Sequence, residues 1–220
     1  MSRQTFFSLA LLVLIASCSI HNRGLLPGIA RSENGTEASL QNPVLFPAGR
    51  WQFVHSVSFH LANGGDGTAL GVLVLGNRET HCVLMTLEGL ALFEARSMDD
   101  GAIEVIRGIP PFDNREFAAG LMADVRTIFR KPQGAMESGY LEDGAPVFRS
   151  SAAGQVTDIL PQADGCWTIH TYSEQIRART IRTRSCRTID SARIPEDIDL
   201  TSDGPVEYAL HLHLLSVEKL

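Results

Sequence analysis

At 220 residues, 44% hydrophobic and 20% charged, the chain has the composition of a globular protein and room for one domain of ordinary size. A formal charge of −6 and a pI of about 5.6 exclude a generally basic surface for nucleic acid. A mean hydropathy of +0.03 excludes a polytopic membrane protein, although the most apolar stretch is gathered at one end.

Residues 1–17 read as a secretory signal. Arg3 supplies the positive start, and 6–16 form an apolar run broken only by Ser8. That run is shorter than the roughly 20 residues needed to cross a bilayer core. It leads into Leu14-Ile15-Ala16-Ser17-Cys18, which resembles a bacterial lipobox. The resemblance implies that the Cys18 thiol accepts a diacylglyceryl group and becomes the lipidated first residue, carrying palmitate-type chains. Ser19 in place of aspartate implies sorting to the outer membrane, with the body in the periplasm. Residues 18–48 carry Gly24, Pro27, Gly28, Gly35, Pro43 and Pro47 without periodicity, and read as the lipidated cysteine and a flexible tether. A flexible chain of about 30 residues spans roughly 30 Å.

The folded body is expected over 49–220. Residues 51–61 alternate, with Trp51, Phe53, His55, Val57, Phe59 and Leu61 on one face. A Gly-rich turn over 63–67 leads to strands at 69–75, 82–87, 90–95 and 102–107. Asp113 or Asn114 can cap a helix running to about Lys131. Phe117, Leu121, Val125 and Ile128 form an apolar stripe at helical period, with Met122 and Phe129 beside it. The stripe reads either as core packing or as the underside of a movable lid. Strands follow at 146–149, 156–160, 166–172 and 179–189, then a polar loop over 194–205. The last strand, 206–217, points Tyr208, Leu210, Leu212 and Leu214 inward and Glu207, His211 and His213 outward. The expected class is mainly β (α+β): about ten antiparallel strands in a half-open barrel, with one long helix covering the concave face.

Catalytic signatures are missing: there is no Gly-x-Ser-x-Gly elbow and no Walker loop, and the glycines of 63–67 join strand to strand. His211 and His213 project from one face of a strand, but no neighbouring ligands complete a metal site in the sequence. No cofactor is implied. Arg177, Arg179, Arg182, Arg184 and Arg187 form a basic run that reads as a solvated strand edge or as a surface for anionic lipid or an acidic partner. In an exported chain a disulfide is plausible. Cys166 and Cys186 face one another if their strands form a hairpin centred near Ile176, which leaves Cys82 over.

The plan of lipobox, tether, five-strand meander, one helix and further strands resembles the LolA/LolB lipoprotein-localisation superfamily. Leu87-Glu88-Gly89-Leu90-Ala91-Leu92-Phe93 and Leu121-Met122-Ala123-Asp124-Val125 are similar to a strand and a helix core of LolB-like outer-membrane lipoproteins, with Glu88 as a departure before the glycine. The resemblance implies an apolar cavity under the helix that accepts acyl chains, and it offers no catalytic residues. Trp51, Phe53, Phe59, Leu90, Leu92, Leu121, Val125, Tyr208, Leu210 and Leu212 are the apolar residues nominated to face that cavity. The expected function is non-enzymatic: binding or transferring an acylated cargo, lipid or lipoprotein, in the periplasm. The alternative is a structural accessory lipoprotein of an envelope assembly or export machine, recognised through protein contacts.

Overall fold

The computed structural model describes residues 24–30, 45–62, 64–110, 112–204 and 206–220. The expected signal segment and Cys18 lie outside these residues. In chain order the elements are β1 (Trp51–Leu61), β2 (Asp66–Leu75), β3 (Glu79–Met85), β4 (Ala91–Met98), β5 (Ile103–Gly108), α1 (Arg115–Phe129), β6 (Met136–Tyr140), β7 (Pro146–Ala152), β8 (Gln155–Pro161), β9 (Trp167–Ser173), β10 (Ile176–Arg184), β11 (Arg187–Ile189), β12 (Ala192–Ile194), β13 (Asp197–Asp203) and β14 (Glu207–Lys219).

The principal sheet runs β5-β4-β3-β2-β1-β14-β13-β10-β9-β8-β7-β6, and β11 and β12 form a separate hairpin. First and last strands pair antiparallel, Trp51 opposite Lys219 and Leu61 opposite Tyr208, and so join two meanders into one sheet. The expected barrel of about ten strands is thus corrected: the sheet has 12 strands and does not close, with β5 and β6 left as edges. Register shifts at Val54/His55, Leu84/Met85, Glu94/Ala95 and Arg177/Arg179 add local twist of the kind that bends a sheet.

The strands form where polar and apolar residues alternate. In β1, Trp51, Phe53 and His55 are buried while Gln52, Val54 and Ser56 are half-buried. Two strands escape this signal. β6 is short and contains glycine, and β13 reads as a loop because Asp197, Asp199 and Asp203 alternate with buried Ile198, Leu200 and Ser202. Those carboxylates face Arg184, His211, His213 and Arg177 on neighbouring strands, so cross-strand pairing replaces the solvent that a loop would seek.

α1 connects the two sheet edges. Asn114 caps it, its side chain accepting from Glu116 N at 2.7 Å and Phe117 N at 3.4 Å. Phe117 meets Phe93 edge-on at 5.6 Å, and Phe129 meets Phe53 at 5.3 Å, so the helix packs on the core-facing side of the sheet from end to end. Its most buried residues are Ala118, Met122, Asp124, Ile128 and Phe129, whereas Phe117, Leu121 and Val125 are half-buried. The stripe is therefore broader than the sequence period indicates, because a polar residue, Asp124, is enclosed along with it.

Two parts of the expected tether belong to the body. Leu45 is buried in the core. Residues 24–30 reach from β10, where Arg177 N donates to Gly24 O at 2.9 Å, to β6, where Ala30 and Tyr140 exchange backbone bonds of 2.9 and 3.0 Å. The span crosses the breadth of β9, β8 and β7 in the sheet order.

Cys166 and Cys186 are disulfide-bonded, with Cα atoms 5.4 Å apart, and Cys82 is free and buried. The intervening hairpin turns at Glu174 and Gln175, both at positive φ (51° and 66°), a geometry that glycine or asparagine would ordinarily mark. Replacing Cys166 and Cys186 together with serine is expected to lower unfolding stability by about 3 kcal/mol in urea titrations, through the freed loop of the unfolded chain. Alkylation of the unreduced, denatured chain is expected to modify Cys82 and neither partner of the bridge.

Candidate functional site

The core-facing side of the sheet carries a buried polar clasp and, beyond it, a cavity. Asp124 of α1 has a side chain only 5% exposed. Arg179 of β10 donates from Nε to its Oδ1 at 2.6 Å, and the Tyr208 hydroxyl of β14 donates to its Oδ2. The irregularity at Arg177/Arg179 leaves Arg179 on the same face as buried Ile181 and Thr183. Burial pushes the Asp124 carboxyl up, against the opposing pull of the Arg179 charge and of its two hydrogen-bond donors. The Tyr208 hydroxyl is pushed up to about 12, by burial first and by the Asp124 carboxylate second. The clasp thus ties the middle of the helix to two central strands. Its three residues were legible separately: Asp124 within the helix motif, Arg179 within the arginine run and Tyr208 on the inward face of the last strand. A carboxylate set amid an apolar helix stripe demands a cation, and that demand is the signal that joins them.

The cavity lies at the C-terminal end of α1 and has a volume of about 590 Å³. Its apolar wall is made by Leu45, Phe46, Phe129, Met136, Phe148 and Ile159, and its polar side by Thr80, Ser97, Asp99, Arg126, Arg130 and Lys131. None of the ten nominated residues lines it. Trp51, Phe53 and Leu212 are core, exposed by 1%, 1% and 8%. Phe59, Leu121, Val125, Tyr208 and Leu210 are half-buried against that core or beside it. Leu92 is half-buried next to fully buried Phe93, and Leu90 precedes β4 and is 58% exposed. Alternation assigns a side of the sheet but not a position along it. The opening sits where residues 45–48, remote in sequence, fold against the helix end.

The arginine run is not a free basic patch and not a sheet edge. β10 lies between β13 and β9. Arg179 reaches Asp124 at 2.6 Å, Arg184 reaches Asp199 at 2.8 Å, Arg187 reaches Glu196 at 3.4 Å and Arg177 reaches Asp203 at 3.9 Å, which leaves Arg182 exposed. A run whose charges are mostly met across the sheet has little field left for anionic lipid. His211 and His213 are likewise engaged, each Nδ1 2.8 Å from Asp199 and Asp197 respectively. Among the described residues no group of His, Cys, Asp and Glu is placed to hold a metal ion, and no helix is long and apolar enough to cross a membrane.

No known family and no curated protein matches the chain. Solved structures do resemble it. A LolA superfamily protein from Nitrosomonas europaea is 11% identical, with 80% of this chain and 89% of that one covered at a TM-score of 0.49. A domain described as outer membrane lipoprotein-sorting from Vibrio parahaemolyticus is 11% identical, with 77% and 85% covered at 0.47. A DUF1329 family protein from Desulfovibrio piger is 10% identical, with 78% and 86% covered at 0.41. At such scores these neighbours transfer no residue roles, and the chemistry has to come from this chain's own geometry.

Proposed function

We propose that this chain is a non-enzymatic binding or transfer protein for acylated cargo, lipid or lipoprotein, anchored through lipidated Cys18 at the outer membrane with its body in the periplasm. The observation that carries the reading is the cavity of about 590 Å³ between the helix end and the sheet, with one wall of apolar side chains. Its size falls within the ~300–1,000 Å³ typical of small-molecule sites. An acyl chain entering it gains roughly 25 cal/mol for each Å² removed from water. α1 is the cover, and the Asp124 clasp is its fastening. The clasp adds to apolar packing that runs along the helix from Phe117 to Phe129.

Titration of the purified protein with a fluorescent fatty acid tests this. Saturable binding displaced by unlabelled acyl chains is expected, and Met136→Trp, which fills the cavity from its wall, is expected to weaken it at least tenfold with unfolding unchanged. Absence of saturable binding, or equal binding by Met136→Trp, would sink the reading.

The accessory-lipoprotein reading has one observation in its favour. β5 is an edge strand, with Ile103, Val105 and Ile106 exposed by 37%, 42% and 44%. Such an edge can accept a strand from a partner. A photo-crosslinker at position 105 that captures one envelope protein, regardless of lipid content, would favour it over cargo binding.

A further inference from the structure

The polar side of the cavity carries more positive charge than its surroundings answer. Arg126 donates from Nη2 to Ser97 Oγ at 2.9 Å and to Met98 O at 3.5 Å. Arg130 donates from Nη2 to Glu79 O at 2.7 Å and to Thr80 Oγ1 at 2.9 Å, and from Nε to Thr80 Oγ1 at 3.2 Å. Every one of these acceptors is neutral. They fix the two guanidinium groups without cancelling their charge, and Ser97 and Thr80, which hold them, are themselves buried. Lys131 follows directly, exposed and lining the same cavity. By contrast, Arg149, Arg179 and Arg184 each meet a carboxylate within 2.8 Å, while Arg193 is likewise held by neutral acceptors but lies outside this cavity.

Three cations at the end of a helix have one ordinary explanation, the partial negative charge of the helix C-terminus. That accounts for about half an elementary charge. The one carboxylate in the lining is Asp99, whose charge acts on Arg130. Three positive charges against one full and one half negative charge leave an excess, in a chain whose net charge is −6. Phe148 and Ile159 line the same cavity.

We infer that the cavity selects amphiphiles with an anionic head, phosphate or carboxylate, which Arg126, Arg130 and Lys131 receive while the apolar tail lies against Phe129, Phe148 and Ile159. The inference rests on the acyl-cargo reading and narrows its substrate class. The bonds to Ser97, Met98, Glu79 and Thr80 use Nη2 of Arg126 and the Nε and Nη2 of Arg130 and leave Nη1 of each guanidinium outside them, a planar, charged donor of the kind that suits oxyanions.

The test compares three probes of equal chain length, decyl phosphate, decanoate and decanol, with inorganic phosphate alone, by calorimetric titration of the purified protein. The anionic amphiphiles are expected to bind at least tenfold more tightly than decanol, and inorganic phosphate not to compete at equal concentration. Whichever of decyl phosphate and decanoate binds more tightly identifies the head group. Arg126→Gln and Lys131→Gln are expected to narrow the gap at least threefold each, with decanol unaffected. Asp99→Asn, which removes a charge from an exposed turn and no hydrogen bond of the fold, is expected to widen it. Equal affinity for decanol and decyl phosphate overturns the head-group inference and leaves the cavity reading standing, as does a gap that survives in the Arg126→Gln/Lys131→Gln double variant. Inorganic phosphate binding as tightly as decyl phosphate makes the site one for free anion and overturns it too. Failure of all three chain-bearing probes to bind overturns both readings.

Discussion

Arg179→Met is expected to cost about 3–5 kcal/mol in urea unfolding, the largest single effect predicted for this fold. The substitution keeps most of the aliphatic stem, so the loss isolates the charge. Without it Asp124 stays enclosed at 5% exposure with only the Tyr208 hydroxyl to answer its carboxylate. Burial already pushes that carboxyl up while Arg179 is present. Removing the cation pushes it further, so the variant takes up a proton on folding at pH values where the parent does not. Its sign identifies the cause. A carboxyl whose pKa is raised on folding weighs against the folded state increasingly as pH climbs from its unfolded value toward its folded one. The Arg179→Met variant should therefore recover stability on mild acidification. A defect in packing alone would show no such recovery. Asp124→Asn, which keeps one acceptor and one donor in place, is expected to cost less than Arg179→Met. Equal costs would mean that the clasp acts through shape rather than charge.

The same contrast between local pattern and remote partner explains what could be read from the residues. β1 and α1 were legible because each announces itself within one window: strict alternation over Trp51–Leu61, and a cap at Asn114 before a helical stripe. β13 was not, because its aspartates count as loop residues until His211, His213 and Arg184 arrive from strands 12 or more residues away. The Cys166–Cys186 pair was legible as a distance along two strands of one hairpin. The clasp required knowing that β10 and β14 flank β13, which places Arg179 and Tyr208 on the same side of the sheet beneath the helix. The cavity was the least legible feature. Its wall includes Leu45 and Phe46 from a stretch without periodicity, and its cations come from a helix end whose charge is ordinary in sequence. Side-chain orientation is encoded locally, but empty space is a property of the assembled fold.

Acidification from about pH 6.5 to about pH 4 is expected to remove roughly 3–4 kcal/mol of stability through one residue, His55. His55 lies on β1 at 3% exposure, between Phe53 and Phe129, with ring centroids at 6.1 and 5.6 Å. Burial lowers its pKa from 6.5 to about 4, with a smaller contribution from His213. The unfolded chain therefore binds a proton at this position from about pH 6.5 downward, whereas the folded chain refuses it until about pH 4. Stability from His55 is complete above the first value, falls through the interval and is gone below the second. The slope within the interval is at most about 1.4 kcal/mol per pH unit, one proton's worth. His55→Phe removes the proton and keeps an aromatic ring against Phe53 and Phe129. It should flatten the profile between pH 6.5 and 4 while leaving neutral-pH stability within about 1.5 kcal/mol of the parent. Urea midpoints across that range distinguish the outcomes, since an unchanged slope in the variant would assign the acid sensitivity to other groups. His55 and α1 meet at Phe129, which also lines the cavity, and the folded ring stays neutral until about pH 4, so this contact is undisturbed above that value. Affinity for cargo should therefore hold from pH 6.5 to about 4 and fall only below it, and His55→Phe should remove that fall.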